Sequence, residues 1–238
     1  MLSQRAIAGR VISRAQRLGA QAHAATGRRR RALRDRVLDE RRRLERLESL
    51  QAQRGLLLDV GASGSHLPGW VSLDIEPDAE GIRMDAARPW PFPDGCARAV
   101  RSEHMVEHLT WDEAAFCIRE MYRVLEPGGV CRICTPDLEG IARAYLERDP
   151  HVLDVHREHG YLAPTWSHLP NNYLRMWGHR YVFDAESLTV LLDEAGFREV
   201  ERTRFGQSRH AVLDKTDSHD PEELEPLVVC VDAVKARS

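Results

Sequence analysis

Within Ser102-Glu103-His104-Met105-Val106-Glu107-His108, two imidazoles and a carboxylate stand at i, i+3 and i+4: His104, Glu107 and His108. On a helix that spacing puts all three on one face. Three roles suit such a face. Either histidine could be a general base toward a bound hydroxyl. The trio could hold a divalent cation, Mg2+ or another, that acidifies the hydroxyl. Or Glu107 and His108 could satisfy buried backbone at a strand-to-helix turn. The residue types alone leave all three open.

A second constellation lies upstream. Leu56-Leu57-Leu58-Asp59-Val60 reads as a buried strand that runs into the small-residue loop Gly61-Ala62-Ser63-Gly64. Such a loop lets a ligand approach the backbone at the carboxyl end of a strand. Val71-Ser72-Leu73 then ends on Asp74, followed by Ile75, where a carboxylate can accept hydrogen bonds from both hydroxyls of a ribose. The pairing is more specific than either part, yet by itself it fits a nicotinamide enzyme as well as other nucleoside-binding ones. A third feature is the stretch from His151 to Tyr181, rich in His, Trp, Tyr and Asn. Its aromatic faces and amide or imidazole donors suit a polyhydroxylated ligand. Trp166, His168, Tyr173 and His179 are its candidate pocket residues, with Asp137 after the preceding strand; the bland reading is a lid packed on the body, and for Asp137 a helix cap.

Elements that could position these groups follow from periodicity. Short apolar runs alternating with helical patterns after Gly55 signal a mostly parallel sheet with covering helices. Strands are expected near Leu56–Val60, Val71–Ile75, Ile82–Met84, Ala99–Ser102, Val130–Thr135, Glu199–Phe205 and Leu227–Val234. A helix from about Trp111 to Leu125 has Thr110 and Glu113 as a capping box, and Pro127-Gly128-Gly129 stops it. Another begins at the Asp184 cap and ends at Gly196. Cys131 and Cys134 share a strand three positions apart, so they point to opposite faces and read as core residues rather than as a chelating pair.

These stretches carry a resemblance. Gly61 with Pro68-Gly69-Trp70-Val71 and Leu73-Asp74, then Pro91-Phe92-Pro93-Asp94, Glu107-His108-Leu109, Tyr122 to Gly129 and Thr135-Pro136-Asp137-Leu138 resemble class I S-adenosylmethionine-dependent methyltransferases of the type 11 kind. The likeness is to the group found beside glycosyltransferases in polysaccharide pathways. Tyr181 to Asp184 and Leu191 to Phe197 continue it. The resemblance implies a Rossmann-like α/β fold: a seven-stranded, mostly parallel sheet, helices on both faces and a C-terminal antiparallel strand pair. It also implies that Asp59, Gly61, Ala62, Ser63 and Gly64 surround the methionine part of S-adenosylmethionine and that Asp74 and Ile75 hold the ribose. Asp85 with the backbone of Ala86 would meet the adenine, and Ser102 and Glu103 would line the site. The family's usual glycine-cysteine-glycine loop is Gly61-Ala62-Ser63 here. Some quinone-pathway O-methyltransferases have an acidic and histidine cluster like the one around Glu107.

The reading that follows is O-methylation of a sugar hydroxyl in an oligo- or polysaccharide. A small phenolic or quinone-like acceptor is the alternative and would require a more apolar pocket; a non-catalytic cofactor-binding regulator is a third. Residues 1–54 form a basic helical extension and residues 55–238 the methyltransferase domain, with 151–183 as an acceptor-side insertion. The net charge of −3 divides unevenly: residues 1–54 hold 15 Arg against five acidic residues, and the rest 19 basic against 32 acidic. Only Lys215 and Lys235 are lysines, so the amphipathic helix over 30–52 is expected to pack on the body or on a second copy in a homodimer, and nucleic acid is not the expected partner. Five scattered cysteines and the lack of an apolar run approaching about 20 residues point to the cytoplasm.

Overall fold

The computed structural model describes residues 34, 37–62, 67–78, 80–158, 160–217 and 225–237. Two compact units divide at residues 46 and 47. In the first, residues 37–46 are helical and expose Val37 and Leu44. The second begins at Leu47, eight residues before the boundary expected from sequence. Leu50 there is buried in the main core, Leu47 packs against that core, and Gln51 Nε2 donates to the Pro91 carbonyl at 2.7 Å.

The second unit is built on one seven-stranded sheet: β1 (Leu56–Val60), β2 (Val71–Asp74), β3 (Ile82–Arg83), β4 (Ala97–Glu103), β5 (Leu125–Pro136), β6 (Phe197–Thr203) and β7 (Val228–Lys235). The order is β3-β2-β1-β4-β5-β7-β6. Strands β1 to β5 pair in parallel, whereas β7 runs antiparallel to both β5 and β6. This is the Rossmann-like sheet with an antiparallel terminal pair that the sequence implied. Helices α1 (Trp111–Val124), α2 (Leu138–Glu147), α3 (Pro150–Glu158), α4 (His168–Arg175) and α5 (Ala185–Ala195) accompany it. Both expected caps form. Thr110 with Glu113 and Asp184 with Ser187 are reciprocal capping boxes, and Gly196 ends α5 at φ +102°. One boundary differs: β5 starts at Leu125, directly after α1. Leu125 pairs with Ala97 and Val130 with Ala99, so Pro127-Gly128-Gly129 is a bulge inside the strand and not a gap before it. No described helix is long and apolar enough to cross a membrane.

The strand period of two sorts residues to two buried faces. On one, Leu58, Val100, Cys131, Ile133, Val229 and Val231 join α1 and α5 in the main core. The other face carries charge. Asp59, Arg101, Arg132 and Asp232 are register neighbours across β1, β4, β5 and β7, all at most 2% exposed. Arg101 reaches Asp59 at 3.4 Å and also Glu103; Arg132 binds Asp217 and Asp232, each at 2.7 Å, and donates to the carbonyls of Arg204 and Gln207. This row ties the 204–217 segment to the sheet. Cys131 lies on the main-core face and Cys134 on the other, as expected for strand residues three apart.

Candidate active site

Strands β1, β2 and β4 deliver their carboxyl ends to one rim, where a cavity of about 550 Å³ opens. Gly61 is at its floor with φ +76°, and a Cβ placed there would stand 2.2 Å from Met105 Cγ. Only glycine keeps both that backbone and that approach. Asp74, Ile75, Asp85 and Ala86 line the same cavity. Asp74 Oδ1 accepts from the Glu76 amide at 2.8 Å, and Asp85 Oδ1 from the Ala87 amide at 2.9 Å. These turns fix one oxygen of each carboxylate, and Asp85 Oδ2 lies 3.8 Å from Arg88 Nε. The residues present thus fit a nucleoside with hydroxyls at one end and a portion that needs close backbone contact at the other.

Four implied cofactor residues do not line this cavity. Asp59 and Glu103 turn to the reverse face and pair with Arg101, and burial pushes the Asp59 carboxyl up to about 6 against the pull of the guanidinium. Ala62 is buried beside the loop, and Ser102 is buried with its hydroxyl unpartnered among the described residues. Ser63 and Gly64 lie outside the described residues. Met105, Glu113 and Arg180 line the cavity without having been anticipated; Arg180 and Glu113 are ion-paired across its mouth. Nothing local in the sequence marks Arg180, which arrives from the insertion.

A second cavity, about 290 Å³, adjoins the first, and His104 and His108 line both. The cluster between them is not on an α-helix as its spacing suggested. Val106–His108 is a single 3₁₀ turn, and His104 precedes it in left-handed backbone at φ +50°, a conformation histidine tolerates better than most residues. The groups still converge. His104 Nδ1 is 3.4 Å from Glu107 Oε1, and His179 Nε2 is 4.0 Å from the same oxygen. The Glu107 side chain is 1% exposed; its Oε2 accepts from the Thr135 hydroxyl at 2.9 Å, while Oε1 has no hydrogen-bond partner among the described residues.

The 151–183 segment forms the far wall. Its chain returns to the site by donating the Arg180 and Tyr181 amides to the Glu107 carbonyl at 2.8 and 3.2 Å. Tyr173, Trp177 and His179 line the second cavity with Tyr161, and Trp177 is held at φ +56° by ring contacts with Tyr161, Tyr173 and His179. For so bulky a residue that backbone is an outlier which the surrounding packing must enforce. Burial pushes the Tyr173 hydroxyl up and the His179 imidazole down from their usual ranges. The other expected pocket residues are elsewhere. Asp137 caps α2 by accepting from the Glu139 amide and pairs with Arg202. Trp166 takes the Arg148 guanidinium over its ring, and His168 bonds Thr165. Pro136, Val155 and Leu227 complete a wall more apolar than the sequence of the insertion suggested.

Residues 70–133 match the methyltransferase domain family. A protein of Mycolicibacterium smegmatis named as a probable S-adenosylmethionine-dependent methyltransferase is 41% identical over 56 residues, 24% of this chain and 21% of that protein. The matched stretch therefore spans about a fifth of that relative. Among solved structures, a SAM-dependent methyltransferase from Archaeoglobus fulgidus superposes with TM-score 0.48 at 18% identity, covering 84% of this chain and 94% of that one. Phosphoethanolamine N-methyltransferase 2 of Haemonchus contortus, solved with S-adenosyl-L-methionine, gives 0.43 at 14%, covering 82% and 52%. Residues 70–133 are thus similar to the methyltransferase domain family over about a quarter of the chain, and they lie within a sheet of Rossmann-like strand order.

Proposed function

We propose that the chain methylates a hydroxyl oxygen, with His104 as proton acceptor, and that the hydroxyl belongs to a sugar of an oligo- or polysaccharide. The observation that carries the catalytic part is the position of His104, which lines both cavities with the Glu107 carboxylate at 3.4 Å. Asp74 would take the ribose hydroxyls, Asp85 and the backbone of Ala86 the adenine, and Gly61 the close approach of the methionine portion.

When bound, S-adenosylmethionine supplies a sulfonium methyl: the acceptor oxygen bonds that carbon as the carbon–sulfur bond breaks with its electrons passing to sulfur, leaving S-adenosylhomocysteine. The protein's part is to align the acceptor, exclude water and remove the hydroxyl proton. His104 takes that proton, and Glu107 presents opposite charge within ion-pair distance of the ring that receives it. The Arg180 and Tyr181 amides hold the insertion against Glu107, so the acceptor wall and the base are positioned by the same residue.

Resemblance to the polysaccharide subgroup and the exposed ring of Trp177 beside Tyr161 and Tyr173 support the sugar, whose apolar faces stack on aromatic rings. At the small end of ligand pockets, the second cavity admits about one ring. A phenolic or quinone-like ring is the second reading, favoured by Pro136, Val155 and Leu227 in the same wall. Five free, buried cysteines fit the reducing cytoplasm, and exposed Val37 and Leu44 on the helical 37–46 segment fit a homodimer.

The test is transfer of labelled methyl to saccharide and phenol panels by the intact chain and by His104→Ala. Loss of 10²- to 10⁴-fold in kcat, about the range of general-base contributions, with donor affinity retained is expected. Undiminished transfer would remove His104 from the mechanism, and donor binding without transfer to any acceptor would favour the regulator.

A further inference from the structure

We propose that Glu107, His108 and His179 form a binding site for a borderline divalent cation such as Zn2+ or Co2+. This deepens the methyl-transfer reading, on which its catalytic meaning rests. One ligand atom from each of the three lies within 4.8 Å of the other two. Ligands about 2.0–2.2 Å from a shared ion stand about 3–4 Å apart, so closure needs roughly an ångström of side-chain movement.

Three independent features prepare these atoms. Glu107 Oε1 makes no hydrogen bond among the described residues although its side chain is 1% exposed, with His104 Nδ1 at 3.4 Å, and a carboxylate oxygen buried without a hydrogen bond is costly. Its other oxygen is anchored by Thr135, so Oε1 is held toward the two rings. His179 Nδ1 stands 2.6 Å from the Tyr173 carbonyl, which can only accept. Nδ1 therefore carries the proton, and the Nε2 lone pair faces Glu107 at 4.0 Å. A backbone carbonyl that fixes the tautomer of a histidine in this way is the usual outer support of a metal-bound imidazole. His108 meets His179 edge to face, with centroids 5.1 Å apart.

Two imidazoles and one carboxylate favour a transition ion over Mg2+, which prefers an all-oxygen octahedron. All three residues line the second cavity and His108 also lines the first, so an ion held by them would adjoin both. An acceptor hydroxyl bound there would be acidified by the cation before His104 removes its proton.

The test uses full-length protein stripped with a chelator and titrated with Co2+, Zn2+ and Mg2+, reading the visible Co2+ absorption and calorimetric heats. Expected are one Co2+ or Zn2+ per chain, Mg2+ binding at least about tenfold weaker, and a further loss of about tenfold or more in Glu107→Gln and in His179→Ala. Retained S-adenosylmethionine binding identifies folded variants; if Glu107→Gln does not fold, His179→Ala decides. Absence of stoichiometric uptake, equal Mg2+ binding, or Co2+ binding unchanged in His179→Ala would overturn the site. The titration uses neither donor nor acceptor, so its failure leaves the methyl-transfer reading standing. Conversely, Asp74→Ala protein that takes up Co2+ but lacks donor binding and transfer would separate the metal from that reading.

Discussion

Gly61→Ala changes one hydrogen to a methyl group in the cavity at the strand ends, and two costs oppose it. The backbone there has φ +76°, and an L-residue in left-handed conformation costs about 1–2 kcal/mol. The added Cβ would lie 2.2 Å from Met105 Cγ and 2.4 Å from Met105 Cβ, a clash that packing studies place at about 1–3 kcal/mol after relaxation. Together the loss is about 2–5 kcal/mol, a large share of the roughly 5–15 kcal/mol stability of a domain. Urea unfolding of wild type and Gly61→Ala measures the sum. The parts are separated by Met105→Gly, because Met105→Ala would leave the 2.4 Å contact in place. In the double variant the clash vanishes and the backbone cost stays, so the cycle should show a favourable coupling of about 1–3 kcal/mol. Additivity of the two substitutions, or a Gly61→Ala protein as stable as wild type, would refute the close-approach reading of this loop.

Asp59 adds a pH prediction: with its folded pKa raised to about 6 from 3.8, the native state binds the extra proton between those values. Its contribution is therefore full below about pH 4 and lost as pH rises through 6, a change of roughly 3 kcal/mol at 1.36 kcal/mol per unit. Subtracting the urea-derived stability curve of Asp59→Asn from that of wild type should expose this downward slope, and a flat difference would contradict it. Arg132→Met strands Asp217 and Asp232 together in the interior and should cost about 3–5 kcal/mol in denaturant unfolding. A cost under about 1 kcal/mol would mean that the row is not holding the 204–217 segment. Trp177→Ala should raise the KM for the acceptor by about tenfold, while donor affinity measured by calorimetry stays unchanged; a loss of donor affinity instead would move Trp177 out of the acceptor wall.

Local signals in the sequence account for much of this fold. Alternating apolar runs, two capping boxes and the Gly196 stop have causes within a few residues of where they act, and each was legible. The strand beginning at Leu125 was not, because the Pro-Gly-Gly bulge is decided by pairing with Ala97, 28 residues earlier. That Gly61, Asp74 and Asp85 line one cavity was legible, because all three lie at or just after the carboxyl ends of strands. Asp59 and Glu103 were placed by analogy in the same cavity; the period of two turns them to the reverse face, where Arg101 awaits them. His179 was assigned to an acceptor pocket, but only the return of the insertion onto the Glu107 carbonyl shows that it shares a cluster with Glu107 and His108. Spacing within one segment cannot reveal a partner supplied from 71 residues away.

The most direct measurement of the central claim is calorimetric titration of the chain with S-adenosylmethionine and separately with NADH, each repeated for Asp74→Ala. Two charged hydrogen bonds to a ribose contribute about 3 kcal/mol or more, so the substitution should weaken the former by about a hundredfold or beyond. Binding of S-adenosylmethionine alone, lost in the variant, is the expected result. Binding of NADH in its place, of neither, or of S-adenosylmethionine unaltered by Asp74→Ala would contradict it.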